Sequence, residues 1–470
     1  MITRRQLLQT AALTGGASAL PAQAAKPGRT PLEKHFRYRG YLGWIVDLDS
    51  RAEPTAPWPS IRLDQNLLDQ YRDTFPLLHR LGFNEAVVWG IYVGRSWPLD
   101  IKSAITPERA KLVNELIDAA HKHELKLIAG LGVFDWGFEE LIKTYPALGP
   151  TNPRAMCASN PDAWGWMEKV TDFVFTRFPI DGVSMQSADQ GRCSCEKCSR
   201  YSDSEYHSRI NVRLTNYIRA HYPNKLVAVA GWGMKFEDPA SLPFMKSMSE
   251  NIDYLIDVVD SAGDRSRDYR RQAIGEVKCA WGTIGGPLVE PPLHYQRDRW
   301  FLPTPRTQRE HLTALAADGG RACEYFFHIR ANPGDEVTLH VAGKLLNNID
   351  TPWQTYLRST LEELYAVSRP STVDALFELF SRSETAYMSR IKKFGSGDIS
   401  LEPLNEAFAG PPIYLTKRLT PDGRTAYSSD LLSIAEGFRK LRADIPDKTR
   451  IDLILRCLDN VQKDLKASAA

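Results

Sequence analysis

Beyond its N-terminus the chain has no run of about 20 mostly apolar residues, the length needed to span a bilayer, so residues 27–470 are not expected to cross a membrane. Excess charge is nearly absent. The 59 Lys and Arg stand against 57 Asp and Glu, a formal net charge of +2, too weak a field to argue for nucleic acid or an anionic membrane as partner. No G-x-G-x-x-G follows the first strand candidate, which removes the phosphate-cradling turn of a dinucleotide-binding sheet. Low-complexity tracts are missing too. What remains is ordinary globular composition, 43% hydrophobic and 25% charged over 470 residues, enough for one large core and a smaller second domain. Aromatic residues are plentiful, with 11 Trp and 18 Tyr. Most fill core, but indole faces at loop tips also suit stacking on sugar rings.

The first 26 residues, MITRRQLLQTAALTGGASALPAQAAK, combine Arg4-Arg5, a mildly apolar stretch and Ala22-Gln23-Ala24. A cationic start, a short apolar centre and an A-x-A site predict a cleaved export signal. The paired arginines point to the twin-arginine (Tat) route. Residues 1–24 are therefore expected to be removed, leaving a periplasmic or secreted protein.

From there the chain alternates short apolar runs with amphipathic stretches eight times. The strand candidates are 38–49, 83–94, 125–134, 180–189, 225–233, 252–263, 274–286 and 321–330. Near-continuous apolar character suits strands covered on both faces, as in a parallel sheet. Helices are predicted at 62–82, 106–125, 204–224 and 307–320. The second opens on Thr106-Pro107, an N-cap followed by proline at the first helical position. Eight βα units in about 300 residues predict a (β/α)8 TIM barrel. From residue 337 the pattern turns helical, at 353–368, 372–391, 430–445 and 449–465. The expected organisation is a barrel over 30–336 and a helical C-terminal domain over 337–470.

Active sites of such barrels form where the strands end. The strand ends here offer Trp44, Trp89, Asp135-Trp136, Gln186, Asp189, Trp232, Asp257, Trp281, Glu324, His328 and Arg330. Tryptophans beside carboxylates are what hydrolysis of a glycosidic bond requires. The rings hold the sugar, one carboxyl protonates the leaving oxygen, and a second acts as nucleophile or activates water. Asp189 is the first choice for the acid, with Glu324, Asp257 or Asp260 as its partner, because strand 7 brings Trp281 and no carboxylate before Glu290. Trp44, Trp89, Gln186, Trp232, Trp281, His328 and Arg330 are the expected substrate contacts. The guanidinium of Arg330 suits a uronate or sulfate, and equally a structural pairing with Asp335 or Glu336.

Seven cysteines leave an odd thiol in an exported protein. Cys193-x-Cys195-x-x-Cys198 is a spacing at which thiolates share a tetrahedral zinc ion, with Cys157 or His207 as fourth ligand. A disulfide from Cys157 to one of the three is the alternative in an oxidising compartment. Either way the cysteines staple the loop beside Asp189, and no cofactor is expected in the chemistry itself. Cys279, Cys323 and Cys457 read as buried apolar residues.

The segments MCASNPDAWGWM (156–167) and SADQGRCSCEKC (187–198) resemble a group of bacterial exported, glycoside-hydrolase-like barrel proteins carrying an Asp, a glycine and C-x-C-x-x-C after strand 4. That group is similar to the α-glucuronidases and, more distantly, to the β-N-acetylhexosaminidases. The resemblance is clear over about 150–235 and implies a (β/α)8 glycoside hydrolase with Asp189 at the site. Where the hexosaminidases place a second acid, this chain has Gln190. The expected activity is cleavage of a poly- or oligosaccharide, with uronic, sulfated or amino sugars preferred. The alternatives are a non-catalytic glycan-binding barrel, or a lyase using Tyr325 or His328 as base.

Overall fold

All eight apolar runs become strands: β1 Tyr38–Trp44, β2 Glu85–Trp89, β3 Lys126–Gly132, β4 Gly182–Gln186, β5 Leu226–Ala230, β6 Tyr254–Asp257, β7 Ala280–Gly285 and β8 Ala322–Phe326. Every pairing is parallel and between sequence neighbours. β8 returns to β1 through Tyr38–Ala322 and Leu42–Phe326, so the sheet closes on itself. The computed structural model describes residues 35–45, 63–92, 97–188, 190–231, 233–234, 238–257, 276–285, 301–317, 319–326, 333–388 and 419–467.

Helices cover the outside: α1 Gln65–Leu81, α2 Pro107–Lys122, the short α3 Glu139–Thr144, α4 Pro161–Arg177, α5 Asp203–His221, α6 Leu242–Ser249, α7 Pro305–Ala317 and α8 Pro333–Asn347. Their starts follow from local chemistry. Asp64, Thr106, Asn160 and Ser202 each turn a side-chain oxygen onto a backbone N–H of the first turn, satisfying a donor that the helix itself leaves unpaired.

Strand alternation sorts side chains to two sides of the sheet. Tyr38, Leu42, Val87, Trp89, Ile128, Leu226, Ala228, Tyr254, Ile256 and Ala322 fill the barrel interior. Residues of opposite parity, including Tyr41, Val88, Trp281 and Tyr325, join the larger core between sheet and helices.

The C-terminal helices α9 Trp353–Tyr365, α10 Pro370–Met388, α11 Pro421–Leu441 and α12 Lys448–Ala467 share that core. The boundary expected at 336/337 falls inside α8, the helix that completes the ring. Asn347 at its end donates to the Leu81 carbonyl of α1. Glu384 of α10 accepts the N–H of Arg306 at 3.1 Å and the N–H and hydroxyl of Thr307 at 2.7 Å each, capping α7. Glu336, expected as a possible partner of Arg330, pairs with Arg450 of α12. Residues His35–Ala470 accordingly form one unit.

Candidate active site

The described part of the barrel mouth is built from the ends of β2, β3 and β4. Trp89 closes β2 with its indole inside the barrel, 5% exposed. It lies there because β3 presents glycine opposite: a Cβ at Gly130 would stand 2.1 Å from the indole. Trp136 meets it edge to face, centroids 5.5 Å apart. After β3 the chain turns sharply, with Phe134 at φ 69° and Trp136 at φ 59°. The turn is held by Val133 N–H on the Gln186 carbonyl at 2.7 Å and by Met156 N–H on the Phe134 carbonyl at 2.6 Å. Left-handed backbone at two aromatic residues is unfavourable, and its persistence beside a strand end marks a constrained loop.

That turn sets the Asp135 carboxylate, fully buried, against the loop after β4. Its Oδ2 accepts the Gln190 N–H at 3.2 Å. The Gln190 carbonyl accepts from Asn152 Nδ2 at 3.1 Å. On the other flank, Ser187 Oγ lies 3.1 Å from His207 Nδ1 and accepts from Asn211 Nδ2 at 3.0 Å. The serine hydroxyl, with one proton and two lone pairs, thus ties the imidazole to Asn211. Burial, aided by the Arg192 charge, pushes this imidazole down to about 4. Gly233, at φ +82°, approaches so closely that a Cβ would stand 2.6 Å from His207 Nε2 and from Ala188 Cβ. Asp189 lies outside the described residues, but both its neighbours are fixed: Ala188 against Gly233, Gln190 on Asp135.

Of the other expected site residues, Gln186 ends β4 and is 4% exposed. The β1 end at Trp44 pairs with Trp89, and the β6 end at Asp257 pairs with Thr283. The side chains of Trp44 and Asp257, and residues Trp232, His328 and Arg330, lie outside the described residues. Trp281 is 3% exposed but sits on the opposite side of the sheet from Trp89, among the helix-facing core. One residue of register separates a ring that lines the barrel from one that packs behind it.

Glu324 is inside the barrel, 3% exposed. Its Oε1 accepts from Ser184 Oγ at 3.3 Å and from Tyr254 Oη at 3.1 Å, and the same phenol stands 3.1 Å from Glu85 Oε2. A phenol has a single proton to donate, so one of the two carboxyls must carry a proton and donate back. Burial accounts for it, raising Glu85 to about 8 and Glu324 to about 7. This chain of polar groups leads to the strand starts. There Glu85, with Arg37, Lys126, Arg219 and Asp253, lines a polar cavity of about 290 Å³, on the face opposite the one that carries active sites in such barrels.

The cysteine cluster adjoins the β4 loop. The Sγ atoms of Cys157, Cys193, Cys195 and Cys198 all lie within 4.8 Å of one another, a set able to hold a metal ion. All four are free thiols, so the disulfide alternative is not formed. His207, the other candidate for fourth ligand, is bonded to Ser187 instead. Cys323 and Cys457 are buried, as expected, and Cys279 is half-buried. Sequence reasoning placed Asp135 and Trp136 at a strand end without giving either a role, weighed His207 only as a metal ligand, and left Ser187 and Asn211 aside. The signal for them was position, since each follows a strand end or lies within the first two to three turns of the helix after it.

The class this architecture defines is the (β/α)8 barrel, and solved structures resemble it. CpGH84B matches with a TM-score of 0.50 over 93% of this chain and 69% of its own, at 11% identity. A point mutant of the Thermobaculum terrenum O-GlcNAc hydrolase gives 0.49 over 87% and 77%, at 12% identity. Likeness to CpGH84B at such identity bears on the fold alone. No family model and no curated protein sequence matches the chain.

Proposed function

We propose that this chain is an exported glycoside hydrolase, periplasmic or secreted, that cleaves a poly- or oligosaccharide, with uronic, sulfated or amino sugars as preferred units. The observation that carries the reading is the Trp89–Trp136 pair standing beside a β4 loop whose flanks are tied down on both sides of Asp189. In this reading Asp189 protonates the leaving oxygen. The second carboxyl comes from Asp257 at the end of β6, from Glu324, or from Asp135, which already bonds to the Asp189 loop. General acid catalysis contributes about 10²–10⁴-fold, which sets the scale of the test. Purified protein is screened against plant, algal and host glycans, with Asp189→Asn as control. A drop of roughly 100-fold or more in turnover by the variant is expected; undiminished turnover refutes the assignment.

A glycan-binding barrel without catalysis is the second reading. It is favoured by the bonding of Glu324 to Ser184 and Tyr254 within the barrel, which removes one carboxylate from the candidates. Glycan binding in calorimetry, with no product from any bound sugar, selects it. We place the four-cysteine cluster outside the chemistry under both readings, as a zinc-holding staple of the same loop.

A further inference from the structure

We infer that Cys157, Cys193, Cys195 and Cys198 form a closed tetrathiolate zinc centre, and that this centre sets the position of the loop bearing Asp189. The first half is independent of the enzymatic reading; the second rests on it.

The donors come from two separate segments, Cys157 ahead of α4 and the other three after β4. Cys157 Sγ lies 3.7 Å from Cys195 Sγ and 3.8 Å from Cys198 Sγ. A tetrahedral zinc ion with bonds of about 2.3 Å spaces its sulfurs about 3.8 Å apart, whereas a disulfide needs about 2.05 Å. These two separations match an ion's ligands, and all four sulfurs lie within 4.8 Å of one another. Three of the four sulfurs belong to buried residues and the fourth to a half-buried one, the enclosure of a structural site rather than one that admits water as a ligand. Four thiolates in a tetrahedron select zinc or iron over hard cations.

Groups around the sulfurs complete the argument. Thr151 Oγ1 donates to Cys193 Sγ at 3.3 Å, Ser159 Oγ stands 3.1 Å from Cys198 Sγ, and the Cys195 N–H points at Cys193 Sγ at 3.5 Å. Hydrogen bonds aimed at sulfur stabilise thiolates and orient them toward a metal. The same short segment then reaches the mouth: Thr151 Oγ1 accepts the Ser194 N–H at 2.7 Å, and Asn152 binds the Gln190 carbonyl. Arg192, between them, is pinned to Asp203 at 3.0 Å. Displacement of Cys193 is therefore transmitted through Thr151 and Asn152 to Gln190.

The test uses the folded, signal-free protein purified without chelator. One zinc per chain by elemental analysis, no disulfide by mass spectrometry, and four thiols that resist alkylation until a chelator strips the metal are the expected results. Iron in place of zinc, or a Cys157 disulfide, overturns the inference. Because Cys195→Ser may fail to fold, Thr151→Val and Ser159→Ala supply a second route. Each is expected to weaken zinc about 10-fold or more in competition with a chromophoric chelator, and unchanged affinity in both also overturns it. For the positioning half, amide exchange over residues 187–192 is expected to rise several-fold on metal removal. Unchanged exchange there ends that half alone. A zinc centre with responsive exchange in a protein that cleaves no glycan leaves the inference standing and removes the hydrolase.

Discussion

Glu85→Gln tests whether the barrel locks a proton inside. Glu85 is 1% exposed and burial raises it to about 8, against 4.5 for an ordinary glutamate. Between those values the folded chain holds a proton that the unfolded chain has released. More protons bound in the folded state means that stability falls as pH rises, from about 4.5 until the folded group itself ionises near 8, and levels off above. At about 1.4 kcal/mol per unit, Glu85 costs the fold on the order of 4 kcal/mol at the top of that window. Glutamine keeps the geometry: its amide donates to Tyr254, whose proton then goes to Glu324, a carboxyl that burial itself raises to about 7. The variant should lie within about 1 kcal/mol of the parent near pH 5 and exceed it by roughly 2–4 kcal/mol near pH 8. Urea unfolding followed by tryptophan fluorescence across that range measures the difference. Glu384, also buried and raised to about 7, tilts both curves equally and cancels. A gap between the two proteins that does not widen with pH refutes the reasoning.

Two further outcomes follow from the mouth. Gly130→Ala drives a methyl into the Trp89 indole and is expected to lose about 1–3 kcal/mol, as overpacked cores do, with a shifted tryptophan emission; an unchanged melt and spectrum would falsify the placement of that ring. His207 is held neutral down to about 4, below its ordinary 6.5. The unfolded chain gains the proton first, so stability is lost as pH falls from about 6.5 to about 4 and levels off below. His207→Gln should flatten that limb, and an unaltered acid limb counts against the buried neutral imidazole.

The eight strands were legible because parallel strands buried on both faces leave apolar runs that nothing else in this chain imitates. Their ends were less so. The run at 83–94 predicts twelve residues of strand, and β2 occupies Glu85–Trp89. The cysteine cluster was legible from spacing alone, but the choice between Cys157 and His207 depended on which way α5 faces, a matter of packing. The side of the sheet taken by each tryptophan was not legible. Trp89 and Trp281 both belong to apolar runs, and only the closed register shows that one lines the barrel and the other backs it. The paired carboxyls were invisible for a similar reason, as Glu85, Tyr254 and Glu324 meet only once the ring is shut. The boundary placed after residue 336 falls within α8, Pro333–Asn347, where composition alone does not mark the start of a helix.

The cap that Glu384 places on α7 has a bearing on how the chain is made. Synthesis runs from the N-terminus, and the last strand leaves the ribosome well before residue 384 exists. Until then the head of α7 has two amides and a hydroxyl with no carboxylate to receive them. A nascent barrel would stand with one helix head untied until its own tail arrives to bind it.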